Sequence, residues 1–169
     1  MFEINDLVVY ENSGVCRLTG VEEKDFGNGA RIYYVLEPLF TNDGTIYTPV
    51  GNTKVTLRPV ITREEALSII RSIPENEIRT FEGLRTLELE AKYREASRSH
   101  ECGDLIKLAM AIYQKMKTAR KSGKKVSDVD DRYLKKMNLL IDGELSVALG
   151  IERSEVPSFI EKELKDLKA

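Results

Sequence analysis

The sequence predicts an α+β chain: a small five-stranded β-barrel over residues 1–60, then an all-helical domain of about five helices over residues 61–169. Three observations carry this. Up to residue 60, short runs of β-branched and aromatic residues alternate with Gly, Asn and Asp turn signals. At Ile61 the apolar period changes from two to the helical 3.6. At that switch stands a capping box, Thr62-Arg63-Glu64-Glu65. A length of 169 residues suits one good core or two small ones, so the division rests on pattern rather than on size.

The five strands follow the punctuation, at residues 6–10, 14–23, 30–37, 45–49 and 54–58. Leu7-Val8-Val9-Tyr10 is apolar on both faces, and Ser13-Gly14 turns it into the second strand. Gly27-Asn28-Gly29 and Asn42-Asp43-Gly44 supply residues that accept positive φ in tight turns. Between them Arg31 to Leu36 is β-branched and aromatic and runs up to Pro38. A partly open SH3-like or Tudor-like barrel is the natural closure. The first helix repeats Ala66, Ile69, Ile70 and Ile73 and stops at Pro74. A second covers Phe81 to about Ser99. A third begins near Asp104, with Leu105, Leu108, Ala109, Ile112, Tyr113 and Met116 on one buried face, and closes at Lys121 and Gly123. Ser127 caps a fourth, whose stripe runs through Tyr133, Met137, Leu140, Ile141 and Leu145 to Gly150. Ser154 starts a fifth, with a core face of Phe159, Ile160, Leu164 and Leu167.

Composition narrows the class. With 41% hydrophobic and 32% charged residues the chain is not dominated by disorder. No run approaches the roughly 20 apolar residues of a membrane helix. Met1 is followed almost at once by strand, and Cys16 and Cys102 are the only cysteines, so a reduced, cytoplasmic setting is expected. The net charge of -2 hides an asymmetry. Residues 1–60 hold five Lys/Arg against eight Asp/Glu, a net -3, whereas residues 85–125 hold eleven against five, a net +6. Only the second region is suited to phosphate.

Residues for catalysis are sparse. There is one histidine, His100, and no nucleophile elbow, Cys–His pairing or glycine-rich phosphate cradle. Ser122-Gly123-Lys124-Lys125 lacks the glycine a phosphate loop needs five residues earlier, where Thr118 stands, and reads as a helix end. His100 and Cys102 have no second ligand pair for zinc. Asp128, Asp130 and Asp131 lack the glycine and oxygen ligand of a calcium loop and read as helix-start acids. Glu88, Glu90 and Glu95 are explained by surface pairs with Lys92, Arg94 and Lys92. The expectation is a non-enzyme with neither metal nor cofactor.

Asp6-Leu7-Val8-Val9-Tyr10, Gly14-Val15, Tyr33-Tyr34-Val35-Leu36 and Ile46-Tyr47-Thr48-Pro49, joined to a helical remainder, resemble the CarD/CdnL family of bacterial transcription regulators. That family shares its barrel with transcription-repair coupling factors. The resemblance implies that the barrel binds the RNA polymerase β subunit through Ile46, Tyr47, Thr48 and Pro49, with edge-strand pairing and with Lys24 in the neighbouring hairpin. Tyr47 stands where some members carry a basic residue. The resemblance also implies that the helical domain lies on promoter DNA at the upstream edge of the melted bubble. Tyr93-Arg94 resembles the family's aromatic-basic pair, and Lys92, Arg94, Lys117 and Arg132 are the candidate phosphate contacts. Many members place a tryptophan wedge four residues before that tyrosine. This chain has no Trp, and Leu89 occupies the position, either as an apolar wedge or as a helix-packing residue. A monomeric regulator of open-complex stability is the expectation, and a Tudor-like protein adaptor without DNA contact is the alternative.

Overall fold

A computed structural model describes residues 1–169. The chain divides into two compact units, Met1–Ile61 and Thr62–Ala169. The first is an antiparallel sheet of β1 (Leu7–Tyr10), β2 (Gly14–Asp25), β3 (Ala30–Pro38), β4 (Ile46–Pro49) and β5 (Leu57–Pro59). Its order is β4-β3-β2-β1-β5, so β4 and β5 are edges and no backbone pairing closes the sheet into a barrel. Val8, Cys16, Leu18, Tyr34 and Leu36 form the core, flanked by Phe2, Tyr10, Ile46 and Leu57. Burial pushes the Cys16 thiol up to about 12, with Asp43 and Glu37 adding to it, so this sulfur stays protonated and packs as a small apolar group.

The long β2–β3 hairpin sets the sheet's two faces. Leu18 pairs with Leu36 and Gly20 with Val35, leaving Thr19 as the extra residue of a bulge. Beyond it Val21 lies opposite Tyr34 and Glu22 opposite Tyr33, while on the other side Tyr33 faces Pro49 and Val35 faces Tyr47. Residues directly opposite share a face, so the Leu18–Leu36 and Val21–Tyr34 pairs lie on the core side. Val35, Tyr33, Tyr47 and Lys24 lie on the other.

The second unit is all helical: α1 (Arg63–Ser72), α2 (Thr86–Ala96), α3 (Cys102–Lys121), α4 (Asp128–Leu149) and α5 (Val156–Lys168). The capping box is present in full: Thr62 Oγ1 accepts from the Glu65 N–H at 3.1 Å and Glu65 Oε2 from the Thr62 N–H at 2.7 Å. The α2 helix is shorter than the expected span from Phe81 to Ser99. Gly83 takes a positive φ of 72° and the chain turns helical only at Thr86. The α3–α4 pair makes the main core, through Leu105, Leu108, Ile112 and Met116 on one side and Met137, Leu140, Ile141 and Leu145 on the other. Two expected core residues are corrected: Tyr113 is 54% exposed and Leu167 is also exposed. Both sit at the margin of an apolar stripe that their helix does not fully cover. No helix is long and apolar enough to cross a membrane.

Asp142 on α4 is half buried, and that burial raises its carboxyl above the ordinary 3.8, opposed only in part by the Arg153 charge. The folded chain therefore holds this proton to higher pH than the unfolded chain does. Stability falls as pH rises from about 3.8 through the raised value, and the cost is complete at neutral pH. Asp142→Asn is expected to raise Tm at neutral pH and to leave it unchanged below the window. Melting curves at the two pH values check this, and an equal effect at both would contradict the assignment.

Candidate functional site

The outer face of the hairpin carries an exposed aromatic group. Its turn is fixed by Asp25, whose Oδ1 accepts from the N–H groups of Gly27 at 2.8 Å and Gly29 at 3.1 Å. Both glycines sit at positive φ, 99° and 87°, which a Cβ would penalise. This turn folds Phe26 back over the sheet, where its ring meets Tyr33 edge-on at 5.0 Å and Tyr47 at 5.7 Å. Lys24 Nζ lies 4.9 Å from the centre of the Tyr47 ring and 3.5 Å from Glu22. Tyr33 is buried beneath this layer, while Phe26 is 57% exposed and Tyr47 37%. An apolar surface with a cation at its rim is suited to protein contact rather than to chemistry.

Of the residues expected on this surface, Lys24 and Tyr47 lie together on the outer face. Ile46 packs on the core, and Thr48 is buried on the inner side within hydrogen-bonding reach of Tyr10. Ile46 and Thr48 therefore offer the edge-strand backbone rather than outward side chains, whereas the half-buried Pro49, opposite Tyr33, shares the outer face with Tyr47. Phe26 did not emerge from the sequence, because it stands inside a turn signal and outside every strand.

In the helical unit Tyr93 is the organising residue. Fully buried, it donates its hydroxyl proton to Asp130, which is 3% exposed and also receives Lys115 Nζ at 3.0 Å. Burial first, and then the Asp130 hydrogen bond and charge, raise the Tyr93 pKa far above its ordinary value, so the phenol stays a donor. Its ring lies 5.8 Å from Phe81 and 5.3 Å from Tyr133. Leu89, one turn before Tyr93, is 3% exposed and belongs to the same packing.

A basic surface lies around Tyr133. The Arg132 guanidinium and the Lys136 ammonium are 5.9 Å and 5.7 Å from its ring centre. Lys136 has a lowered pKa, chiefly from burial and then from the Arg132 and Arg94 charges, which places three cations from α2 and α4 in one neighbourhood. Arg94 and Arg132 were expected on a phosphate-binding face; Lys136 was not. It was legible in part, since it follows Arg132 by one turn, but its proximity to Arg94 is tertiary. Lys92 and Lys117 are exposed, and no hydrogen bond, ion pair or ring contact joins them to this trio. The expected surface pairs are also corrected: Glu90 binds Arg132 across the helices rather than Arg94, and Glu95 binds Arg98. Glu90 and Arg94 share an exposed face, and the longer reach to α4 takes Glu90 where a second helix already buries part of it.

No curated protein matches the chain. The description of the matching family model is CarD-like/TRCF RID domain, and the match spans residues 2–61, the whole of the sheet unit that presents Phe26, Tyr33, Tyr47 and Lys24. The N-terminal unit of this chain therefore belongs to the CarD-like/TRCF RID family of transcription-associated, RNA polymerase-interacting domains.

Proposed function

We propose that this protein is a non-catalytic bacterial transcription regulator that acts in the cytoplasm as a monomer. Residues 1–60 would dock on the RNA polymerase β subunit and residues 61–169 would touch promoter DNA at the upstream edge of the bubble, changing open-complex stability. The observation that carries the reading is the family match over residues 2–61 together with the exposed Phe26–Tyr47–Lys24 surface on that same unit. Docking uses this outer face and the free edge of β4, whose unpaired backbone groups invite an added strand.

The overall charge of -2 fits such a division of labour. Polymerase provides recruitment, so the basic face needs only weak, sequence-independent phosphate contacts at high effective concentration. Arg94, Arg132 and Lys136 hold phosphates in this reading, with exposed Lys92 and Lys117 adding long-range attraction. Leu89 is not the wedge, because its side chain is packed. Leu87 is 80% exposed and lies seven residues before Arg94, on the same side of α2. It is the apolar group available to press on the minor groove, although it offers no ring for stacking.

The adaptor reading has one observation in its favour: the wedge position is buried and carries no aromatic ring. Arg94→Glu combined with Lys136→Glu separates the two. The pair is expected to lower promoter-complex affinity, to reduce the slope of log K against log salt by about 1–2, and to shorten open-complex lifetime. A lifetime unchanged at low salt would favour the adaptor.

A further inference from the structure

A hollow of about 710 Å³ lies at the edge of the sheet unit, where β3 runs on past the end of β4. Arg31, Ile32, Pro49, Val50, Asn52 and Lys54 line it. The last ladder pair is Tyr33 with Pro49, and one further bond joins the Val50 N–H to the Ile32 carbonyl at 3.0 Å. Ala30 and Arg31 therefore have no strand beside them on that side. The chain leaving β4 is tied. The Asn52 N–H donates to the Pro49 carbonyl at 3.1 Å, and Asn52 Oδ1 accepts from the Lys54 N–H at 3.0 Å, which holds Lys54 on the hollow that Arg31 also lines.

The charges here are at odds with the stability of the sheet. Arg31 stands directly opposite Lys24 across the β2–β3 ladder, and like charges so placed are destabilising. Lys24 turns to Glu22 and to the Tyr47 ring, whereas the exposed side chains of Arg31 and Lys54 make no ion pair. Residues 1–60 carry a net -3, yet three of their five cations gather at this end of the sheet, beside the aromatic surface. Negative charge from outside would offset the repulsion. Polynucleotide is the poorer source, because the net charge of the unit repels a long polyanion and the exposed Ile32 and Val50 put apolar surface on the same walls. A protein strand is the better one: the free edge of β4 leads to the hollow, so a segment added there carries its next residues over it.

We propose that the hollow takes acidic side chains of the polymerase β segment that pairs with β4, a segment that lays apolar residues on Phe26 and Tyr47 and sets Asp or Glu against Arg31 and Lys54. The inference rests on the docking reading and adds to it the chemistry of the partner. Charges at such a rim act mainly on the rate and register of association, so their effect is salt-dependent.

The test measures binding of the full chain to the β subunit at about 0.05 M and about 0.5 M salt. Arg31→Gln with Lys54→Gln should bind about tenfold more weakly than wild type at low salt, and Arg31→Glu with Lys54→Glu about tenfold more weakly again, with the gaps closing at high salt. Lys121→Gln with Lys125→Gln, an equal charge change at exposed positions of the helical unit, should bind as wild type does. Arg31→Glu alone should raise Tm, because it meets Lys24 with the opposite charge, so a loss of binding there is not a loss of fold. If wild type binds and the Gln pair matches the Lys121/Lys125 control, the proposal is overturned while docking stands. It is also overturned if the Glu pair binds more tightly than the Gln pair, or if the Gln pair loses as much affinity for a promoter duplex as for the β subunit. Failure of wild type to bind removes the docking reading and this inference with it.

Discussion

Replacing Phe26 by Ala is expected to weaken association with the RNA polymerase β subunit by at least about 30-fold, a loss of ~2 kcal/mol typical of an interface anchor. The ring is exposed, yet it is held by an edge-on contact to Tyr33 and a tilted contact to Tyr47, on a turn that Asp25 ties at two backbone N–H groups. An anchor already fixed in position loses little entropy on docking, and its burial removes apolar surface on both partners. Tyr47→Glu with Lys24→Glu should have a comparable effect by a different route, because it places carboxylates where the surface now offers a ring and a cation. Binding titrations of the full chain against the β subunit measure both. If wild type binds and Phe26→Ala binds equally well, the aromatic layer is not the contact. If wild type does not bind, the polymerase reading itself fails.

Asp130→Ala should be the most damaging single change in the helical unit. It removes the acceptor of the buried Tyr93 hydroxyl and the counter-ion of Lys115 together, leaving a phenol and an ammonium without their partner. Removal of one member of a buried pair costs about 3–5 kcal/mol, and the partial exposure of Lys115 brings the expectation to ~3 kcal/mol. For a unit of this size the midpoint should drop by more than about 10 °C. Tyr93→Phe, which leaves the Lys115 pair intact, should cost about 1 kcal/mol. Thermal and urea unfolding of both variants tests the ranking; equal losses would mean that the ion pair contributes nothing beyond the hydroxyl.

Much of the architecture was legible because local chemistry and tertiary structure agree. Thr62 and Glu65 mark a helix start whatever lies around them, and Asn and Gly in the hairpin specify a turn from their own φ preferences. Failures occurred where a neighbour had to decide. An apolar stripe gives the direction of a helix face but not its width, so Tyr113 and Leu167 were assigned to a core that stops short of them. Leu89 could be wedge or packing from sequence, and the surrounding helices make it packing. At the candidate surfaces, the family resemblance named Tyr47 together with its strand neighbours, but Phe26 belongs to no periodic segment. The Arg94–Arg132–Lys136 neighbourhood combines residues nearly forty positions apart, and the charge count over residues 85–125 reached Arg94 but neither Arg132 nor Lys136.

The extra residue at Thr19 has a consequence for chain length. Strand faces obey a parity rule, and the bulge lets two residues count as one, so Lys24 points outward although it is an even number of steps from the core residue Leu18. Deleting Thr19 would straighten the strand but preserve that parity. Deleting any one residue from Val21 to Glu23 would reverse it and turn Lys24 toward the core. The surface offered to a partner therefore depends on an odd-or-even count along one strand, and a length change there is more disruptive than most changes of residue type.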